Sequence, residues 1–254
     1  MRHSIVIPAH NEAAVLEEFV TAFITALPAD IGALVTEIII VENGSRDDTW
    51  GVAQRLRDRY PGLIQVYRNS RPSYGEAIKR GMLEAKGTHL SILECDALDA
   101  DFTARSIALF QQGKARFIVA SKRHAGSHDQ RPFLRRQLTA WYNRLLRLAM
   151  GYPGTDTHGH KSLEAGLAKQ LCSLSITSDE SFQTEIVLIA WKMGETVTEL
   201  PLTIAEVRQP GVSLLRRLPK VLRSMGELRR SLRRFPVRRS APRLETGQAA
   251  DAGP

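Results

Sequence analysis

The first hundred residues alternate short apolar runs with amphipathic stretches of helical period, and this alternation leaves few folds open. Ser4-Ile-Val-Ile-Pro8, Glu37-Ile-Ile-Ile-Val41, Leu63-Ile-Gln-Val-Tyr67 and the run that opens at Leu90 have strand length and strand composition. Ala13 to Leu27, Asp48 to Tyr60 and Tyr74 to Gly87 lie between them and read as helices. A βαβαβαβ order implies a mostly parallel sheet with helices on both faces. Asn11 with Glu12 is expected to cap and open the first helix. Gly87 is expected to end the third as its C′ glycine.

Parallel strands deliver their carboxyl ends to one edge. Pro8–Glu12, Glu42–Ser45 and Glu94–Asp99 should therefore line up where open α/β sheets bind ligands. The stretch Leu90 to Phe102 starts as a strand and runs into Glu94, Asp96, Asp99 and Asp101. In extended backbone, residues two apart share a face. Glu94 and Asp96 would then face one cation, with Cys95 turned inward. Hard divalent cations take one or two such carboxylates and keep positions for substrate phosphate. The competing reading is an acidic turn or helix start.

Further along, Ala104 to Gln112 reads as a helix and Phe117-Ile-Val-Ala-Ser121 as a strand. Lys122 to Pro132 reads as a loop, and Phe133 to Met150 as a helix with Arg135, Arg136 and Thr139 in its first turns. Gly151-Tyr-Pro-Gly154 stops that helix, and Thr155-Asp-Thr-His-Gly-His-Lys161 is a second polar loop. Leu163 to Leu171 and Glu185 to Met193 look helical, and Thr196 to Ile204 looks like a late strand.

Charge separates the end of the chain from its body. From Arg208 to Arg239 there are 11 Lys or Arg against one acid, Glu227, in a chain whose net charge is +8. The body is thus near neutral, and the basic segment points to a polyanionic partner. Leu214 to Phe235 interleaves Leu, Val, Met and Phe with Arg at nearly helical spacing, the pattern of a helix in a membrane interface. A nucleic-acid patch is disfavoured, because aromatic interleaving and a binding module are lacking. The remaining alternative is a helix packed on the body with its charges in water. No apolar run approaches the roughly 18 residues of a membrane span, and the N-terminal run is too short for a signal peptide. Cys95 and Cys172 build no disulfide framework and are expected to be buried thiols in a reducing compartment. The organisation expected is a main domain over 1–208, a basic amphipathic helical segment over 209–239 and a disordered tail over 240–254.

Several motifs together resemble family 2 glycosyltransferases of the GT-A fold. They are Ile5-Val-Ile-Pro-Ala-His-Asn-Glu12, Ile39-Ile-Val-Glu-Asn-Gly-Ser-Arg-Asp-Asp-Thr49, the Gly75-x-Ala-x-x-x-Gly-x-x-x-Ala-x-Gly87 helix and the Glu94-x-Asp96 strand end. Ala120-Ser-Lys-Arg123, Arg135-x-x-x-Thr139, the 155–161 loop, Phe182-x-x-Glu185, Glu199-Leu-Pro201 and Glu206-x-Arg208 resemble the branch of dolichol-phosphate mannosyltransferases and polyprenyl-phosphate glycosyltransferases.

The resemblance implies a metal-dependent, inverting transfer of a hexose from a nucleotide sugar to polyprenyl phosphate. The enzyme would be cytoplasmic and peripheral on the inner face of the cell membrane, with an anionic membrane surface as partner and no nucleic acid. Pro8, Ala9, Asn11 and Glu12, with Glu42 and Gly44, would hold the nucleotide. Glu94 and Asp96 would hold Mg²⁺ or Mn²⁺ on the diphosphate. Leu98 stands where the branch often has a metal-binding Gln, so Asp99 is a substitute ligand and Asp101 the expected helix N-cap. Lys122, Arg123 and Thr139 match phosphate-binding positions, and Asp96, Arg135, Lys161 and Arg208 match the catalytic set. A hydroxyl acceptor would need a base, for which Asp179 and Glu180 stand ready unless they only cap a helix. The departures at Glu42, Asn43, Glu94 and Leu98 also admit a catalytically idle module. His158 and His160 lack a metal-ligand pattern and are expected to be polar loop residues. Cys95 is expected to be core.

Overall fold

The computed structural model describes residues 1–130, 133–204 and 218–235, without the side chains of Asp96, Asp129, Leu138, 133–135, 203–204 and 218–220. The first half follows the alternation in the sequence. Strand β1 (His3–Ala9) leads to helix α1 (Leu16–Ala26) and the short α2 (Ala29–Gly32). Strand β2 (Val35–Asn43) leads to α3 (Thr49–Arg59), β3 (Ile64–Asn69) to α4 (Tyr74–Glu84), and β4 (His89–Ile92) to α5 (Ala100–Gln111). Then come β5 (Phe117–Ser121), β6 (His128–Asp129), α6 (Phe133–Met150), β7 (Lys161–Glu164), α7 (Ala165–Leu174) and α8 (Ser181–Met193). Strands β8 (Val197–Pro201) and β9 (Thr203–Ile204) and helix α9 (Leu218–Leu232) complete the described residues.

Seven strands form one sheet in the order β3-β2-β1-β4-β7-β5-β8, while β6 and β9 pair separately. β7 runs antiparallel to both β4 and β5, and the other pairs in the large sheet are parallel. The carboxyl ends of β1, β2, β4, β5 and β8 therefore share an edge with the amino end of β7. β7 was not expected; the helix expected over Leu163 to Leu171 is present as α7 but starts at Ala165, because Leu163 and Glu164 belong to the strand. Lys161-Ser-Leu-Glu164 is too short to display a period, and only its neighbours in the sheet select the extended form.

Both sheet faces are buried, as β-branched runs such as Ile38-Ile-Ile-Val41 require. One face, with Val6, Ile39, Ile92 and Val119, packs against α4, α6, α7, α8 and α9. The other, with Ile5, Ile7, Ile38 and Ile118, packs against α1, α3 and α5. α8 is buried through its first ten residues, polar ones included. Buried polar groups must be paired, and Glu185 is: it accepts from the backbone N–H of Ile176 and Thr177 at 2.9 Å, from Thr177 Oγ1 at 2.6 Å and from Ser231 Oγ.

That last bond fastens α9 to the body. Met225, Leu228 and Leu232 join the core, and Arg234 donates to the Leu174 carbonyl at 2.7 Å. The described part of the basic segment thus turns its apolar stripe inward and leaves Arg223, Arg229 and Arg230 exposed. This is the packed arrangement among the readings the sequence left open. Arg208 and the tail at 240–254 lie outside the described residues.

Two local expectations change. α4 ends at Glu84 with an extended Ala85 as C-cap, so Gly87 is not its C′ residue. Gly87 is needed for close approach: an added Cβ would stand 2.6 Å from Ser4 Oγ and 2.8 Å from the His89 carbonyl. Asn11 does not cap α1, whose N-cap is Val15. It takes a left-handed φ of 57° and accepts from Arg46 N at 2.9 Å, tying the first loop to the second.

Gly44 turns the second loop with φ +65°, and a Cβ there would lie 2.7 Å from Pro72 N. Gly44→Ala is expected to lower stability by about 1–3 kcal/mol through strain and overlap together. Thermal denaturation checks this, and an unchanged melting temperature would show that the turn relaxes freely.

Candidate active site

The shared edge of the sheet gathers most of the residues singled out in the sequence. The Pro8–Glu12 and Glu42–Ser45 loops are laced together. His10 Nδ1 lies 2.8 Å from the Asn43 carbonyl oxygen, and Asn11 N donates to Ser45 Oγ at 3.0 Å. Glu12 N donates to Thr49 Oγ1 at 2.8 Å. Glu42 is buried, accepting from Ser45 N and pairing with Arg68 Nε at 3.0 Å. Asn43 Oδ1 accepts from Ser73 N at 2.8 Å, which brings the start of α4 to the same edge.

β4 ends at Ile92, and Cys95–Ala97 form a 3-10 turn closed by Ala97 N donating to the Glu94 carbonyl at 3.1 Å. Glu94 and Asp96 therefore do not share a face of one extended strand, because the backbone curls before reaching Asp96. Cys95 is buried, as expected, whereas Cys172 is only half-buried. Asp99, not Asp101, is the N-cap of α5: its Oδ1 accepts from Phe102 N at 2.8 Å. Asp101 sits in the first turn and pairs with Arg105 at 2.8 Å. Burial holds the Asp99 carboxyl above the usual range.

Around Glu94 is a network that the motifs did not announce. Glu94 Oε1 accepts from Tyr74 Oη and from Gln183 Nε2, the latter at 2.8 Å. Gln183 Oε1 accepts from Lys161 Nζ, which also donates to the Gly159 carbonyl at 2.9 Å. Gln183 thus bridges a buried cation and a carboxylate. Tyr74 opens α4, Gln183 lies in the first turn of α8 and Lys161 starts β7, so three elements converge on the 93–97 turn. Tyr74 lay in plain view at a helix start, and Gln183 inside Phe182-x-x-Glu185; only the packing of α8 assigns them here.

Lys161 is fully buried, and burial pulls its pKa down to about 7 against the opposing pull of Glu94 and Asp156. Its unfolded value is about 10.4. Between those values the unfolded chain binds the extra proton, so stability rises with pH. Wild type is expected to gain up to about 1 kcal/mol per pH unit relative to Lys161→Met between pH 7 and 10. Parallel pH–stability lines for the two proteins would refute this.

A second cluster adjoins it. Asp156 is buried and pairs with Lys122 Nζ at 3.2 Å. Its Oδ1 accepts from His158 N at 2.9 Å and its Oδ2 from Lys122 N at 3.2 Å. Burial would raise this carboxyl, but Lys122 and the two N–H donors outweigh burial and hold it down at about 2. His158 stands edge-on to Tyr142, with centroids 5.2 Å apart, and is exposed at the rim of this cluster. His160 packs on Phe102 and is pushed down to about 3 by burial. The His160 ring is therefore neutral near pH 7. The loop is further anchored by Thr155 N, which donates to Glu199 Oε1 at 2.6 Å.

The other expected residues are more dispersed. Arg123 is exposed, and Thr139 is half-buried on α6. The side chain of Arg135 and all of Arg208 lie outside the described residues. Asp179 accepts from Ser181 N at 2.9 Å in the turn ahead of α8, but the N-cap of α8 is the exposed Glu180, without a side-chain cap bond, and not Asp179 or Ser178.

Among the described residues no three metal-ligating side chains cluster, and Glu94 is the one described carboxylate of the Glu94-x-Asp96 pair that a cation could use. The group is a carboxylate at the ligand-binding edge, oriented by Tyr74 and Gln183, and among the described residues its Oε2 accepts no hydrogen bond. The buried Lys161 nearby balances charge.

The sheet order and its helical layers define a GT-A fold. Glucosyl-3-phosphoglycerate synthase from Mycobacterium tuberculosis, solved with Mn²⁺, uridine diphosphate and glucosyl-3-phosphoglycerate, superposes with a TM-score of 0.65 at 19% identity, covering 94% of this chain and 81% of that one. The same enzyme solved with Mg²⁺ and uridine diphosphate gives 0.61 at 21% identity, covering 94% and 81%. Residues 4–165 match glycosyl transferase family 2, and the chain belongs to that family. A dolichyl-phosphate beta-glucosyltransferase of Trichomonas vaginalis is 23% identical over 80% of this chain and 66% of its own length. A dolichol-phosphate mannosyltransferase of Pyrococcus furiosus is 33% identical over 38% of this chain and 26% of its own. The chain thus matches no more than about two-thirds of the length of these two relatives.

Proposed function

We propose that the chain transfers a hexose from a nucleotide sugar to a polyprenyl phosphate, with inversion and with Mg²⁺ or Mn²⁺. The observation that carries this reading is the buried Lys161, bridged by Gln183 to Glu94 at the carboxyl edge of the sheet. A nucleoside diphosphate is met by such a juxtaposition of a cation-binding carboxylate and a lysine amine, and with a pKa of about 7 the amine is drawn into its charged form by a phosphate brought beside it. Glu94 and Asp96 would hold the metal, which when bound supplies Lewis-acid stabilisation of the diphosphate. Asp99 is left out of this set, since its carboxylate caps α5.

Lys161 and Lys122 then face the charge that grows on the departing diphosphate. They are fixed beforehand by Gln183 and Asp156, so little reorganisation is needed as that charge develops. The Pro8–Glu12 and Glu42–Gly44 loops would hold the nucleotide. A phosphate acceptor is ionised near pH 7 and needs orientation more than a base; Arg123, Arg135, Thr139 and Arg208 are proposed for that task. The dolichyl-phosphate transferases among the relatives support a lipid-phosphate acceptor.

A second reading keeps the donor and uses a hydroxyl acceptor, with Asp179 or Glu180 as base. The exposure of Glu180 at the head of α8 favours it, as does the small-molecule acceptor of the structural neighbour. Radiolabelled nucleotide sugars incubated with membrane lipid extract and Mg²⁺ or Mn²⁺ separate the two. Label in the organic phase supports the first reading, and label in an aqueous glycoside supports the second. Neither transfer nor hydrolysis across the panel would leave an idle module.

A further inference from the structure

Helix α6 faces two ways. Inward, Leu146 and Met150 enter the core, Tyr142 meets His158 and Asn143 Nδ2 donates to the Thr155 carbonyl at 2.7 Å. That side holds the 155–161 loop with its Asp156 and Lys161. Outward, Trp141 is 47% exposed and Leu148 79% exposed. Two large apolar side chains in water on one helix need a reason. They are two turns apart with the exposed Arg144 between them, all three within an arc of about 60°. Arg147 is exposed alongside.

Charge says what covers this face. α6 holds four arginines and no acid in 18 residues. α9, packed on the same side of the sheet, exposes Arg223, Arg229 and Arg230 around its one acid, Glu227. On the opposite side, α1, α3 and α5 together carry four bases and four acids. The excess of positive charge is thus one-sided, and exposed Trp and Leu stand within it. A second copy of the chain is a poor occupant, because a two-fold contact would set these arginines against one another.

We propose that the outer face of α6 docks on an anionic lipid surface, with Trp141 and Leu148 entering the interface and Arg144 and Arg147 on the head groups. Trp at the interface and Arg on anionic head groups are the pattern such surfaces select. Trp141 and Tyr142 are consecutive, so the docking face is one helix thickness from the loop that carries Lys161. Delivery of a lipid phosphate into the site rests on the acceptor reading above, whereas docking does not.

The test uses the full chain and vesicles of phosphatidylcholine with or without phosphatidylglycerol, free of polyprenyl phosphate. Flotation is expected to recover wild type with the anionic vesicles alone. Trp141→Glu/Leu148→Glu is expected to lower that recovery roughly tenfold or more with an unchanged melting temperature, and Arg144→Glu to lower it in the same direction. In a separate arm, transfer to polyprenyl phosphate in detergent is expected to survive the double substitution. Wild type that ignores anionic vesicles, or a double variant that floats as well as wild type, overturns the docking proposal. So does a double variant that keeps vesicle binding and instead turns a dimer into a monomer. Failure of wild type to use polyprenyl phosphate in detergent would remove the acceptor reading and leave the vesicle result standing.

Discussion

Asp96→Ala is expected to lower transfer from the nucleotide sugar by about 10²–10³-fold, the usual loss when one preorganised electrostatic group is taken from a reacting centre. The fall should appear in kcat more than in KM, since the charge being stabilised is greatest in the transition state. The turn that carries Asp96 is closed by a backbone bond from Ala97 N to the Glu94 carbonyl, which the substitution leaves in place. The melting temperature is therefore expected to stay within about 2 °C of wild type. Glu94→Gln separates charge from shape at the neighbouring position: Tyr74 and Gln183 can still donate to the remaining carbonyl oxygen, but the carboxylate charge is gone. Activity equal to wild type in both variants would take the acid pair out of the chemistry.

The second large effect is on stability. Asp156→Ala strands Lys122, whose side chain is only 12% exposed, and strips acceptors from the N–H groups of His158 and Lys122. Removing one member of a buried pair typically costs about 3–5 kcal/mol, which for a chain of this size lowers the melting temperature by roughly 10 °C. The sign of the pH dependence follows from the depressed Asp156 pKa of about 2. Its stabilisation is fully present above the unfolded value of about 3.9 and is lost as pH falls toward 2. The gap between wild type and Asp156→Ala should thus be constant from pH 5 to 7 and close below pH 4. A gap that widened in acid would mean that the carboxylate is not held by Lys122.

The parallel half of the sheet was legible because its signals are long. β1 and β2 are β-branched runs, and α1, α3 and α4 repeat their apolar positions over three turns. The acid turn was legible as a place but not as a shape. Four carboxylates in eight residues mark the edge of the sheet, yet which one caps α5 depends on where the helix begins. That start lies at Ala100, earlier than the sequence reading of Ala104. β7 was illegible because four residues hold no period. With it went the means of placing Lys161, which the sequence left in a loop. Gln183 is the hardest case. A polar residue in the first turn of a helix is ordinarily solvated, and nothing local says that α8 is enclosed on every side. The basic segment shows the opposite limit: its amphipathic period was clear, but a period cannot tell lipid from the flank of α8 as the partner of its apolar stripe.

The antiparallel strand has a consequence for how the molecule is made. β3, β2, β1 and β4 can assemble while the ribosome is still adding the second half, but β5 has no place beside β4. The gap is filled only when residues 161–164 emerge and slot between them against the chain's own direction. Until then β4 presents an open edge, a hazard for a nascent chain. Pulse-labelling hydrogen exchange during refolding should find Ile5 and Ile39 protected before Leu163; simultaneous protection would mean that the sheet closes in one step. A nascent chain that has not yet reached residue 161 would hold Glu94 but not the lysine that answers it.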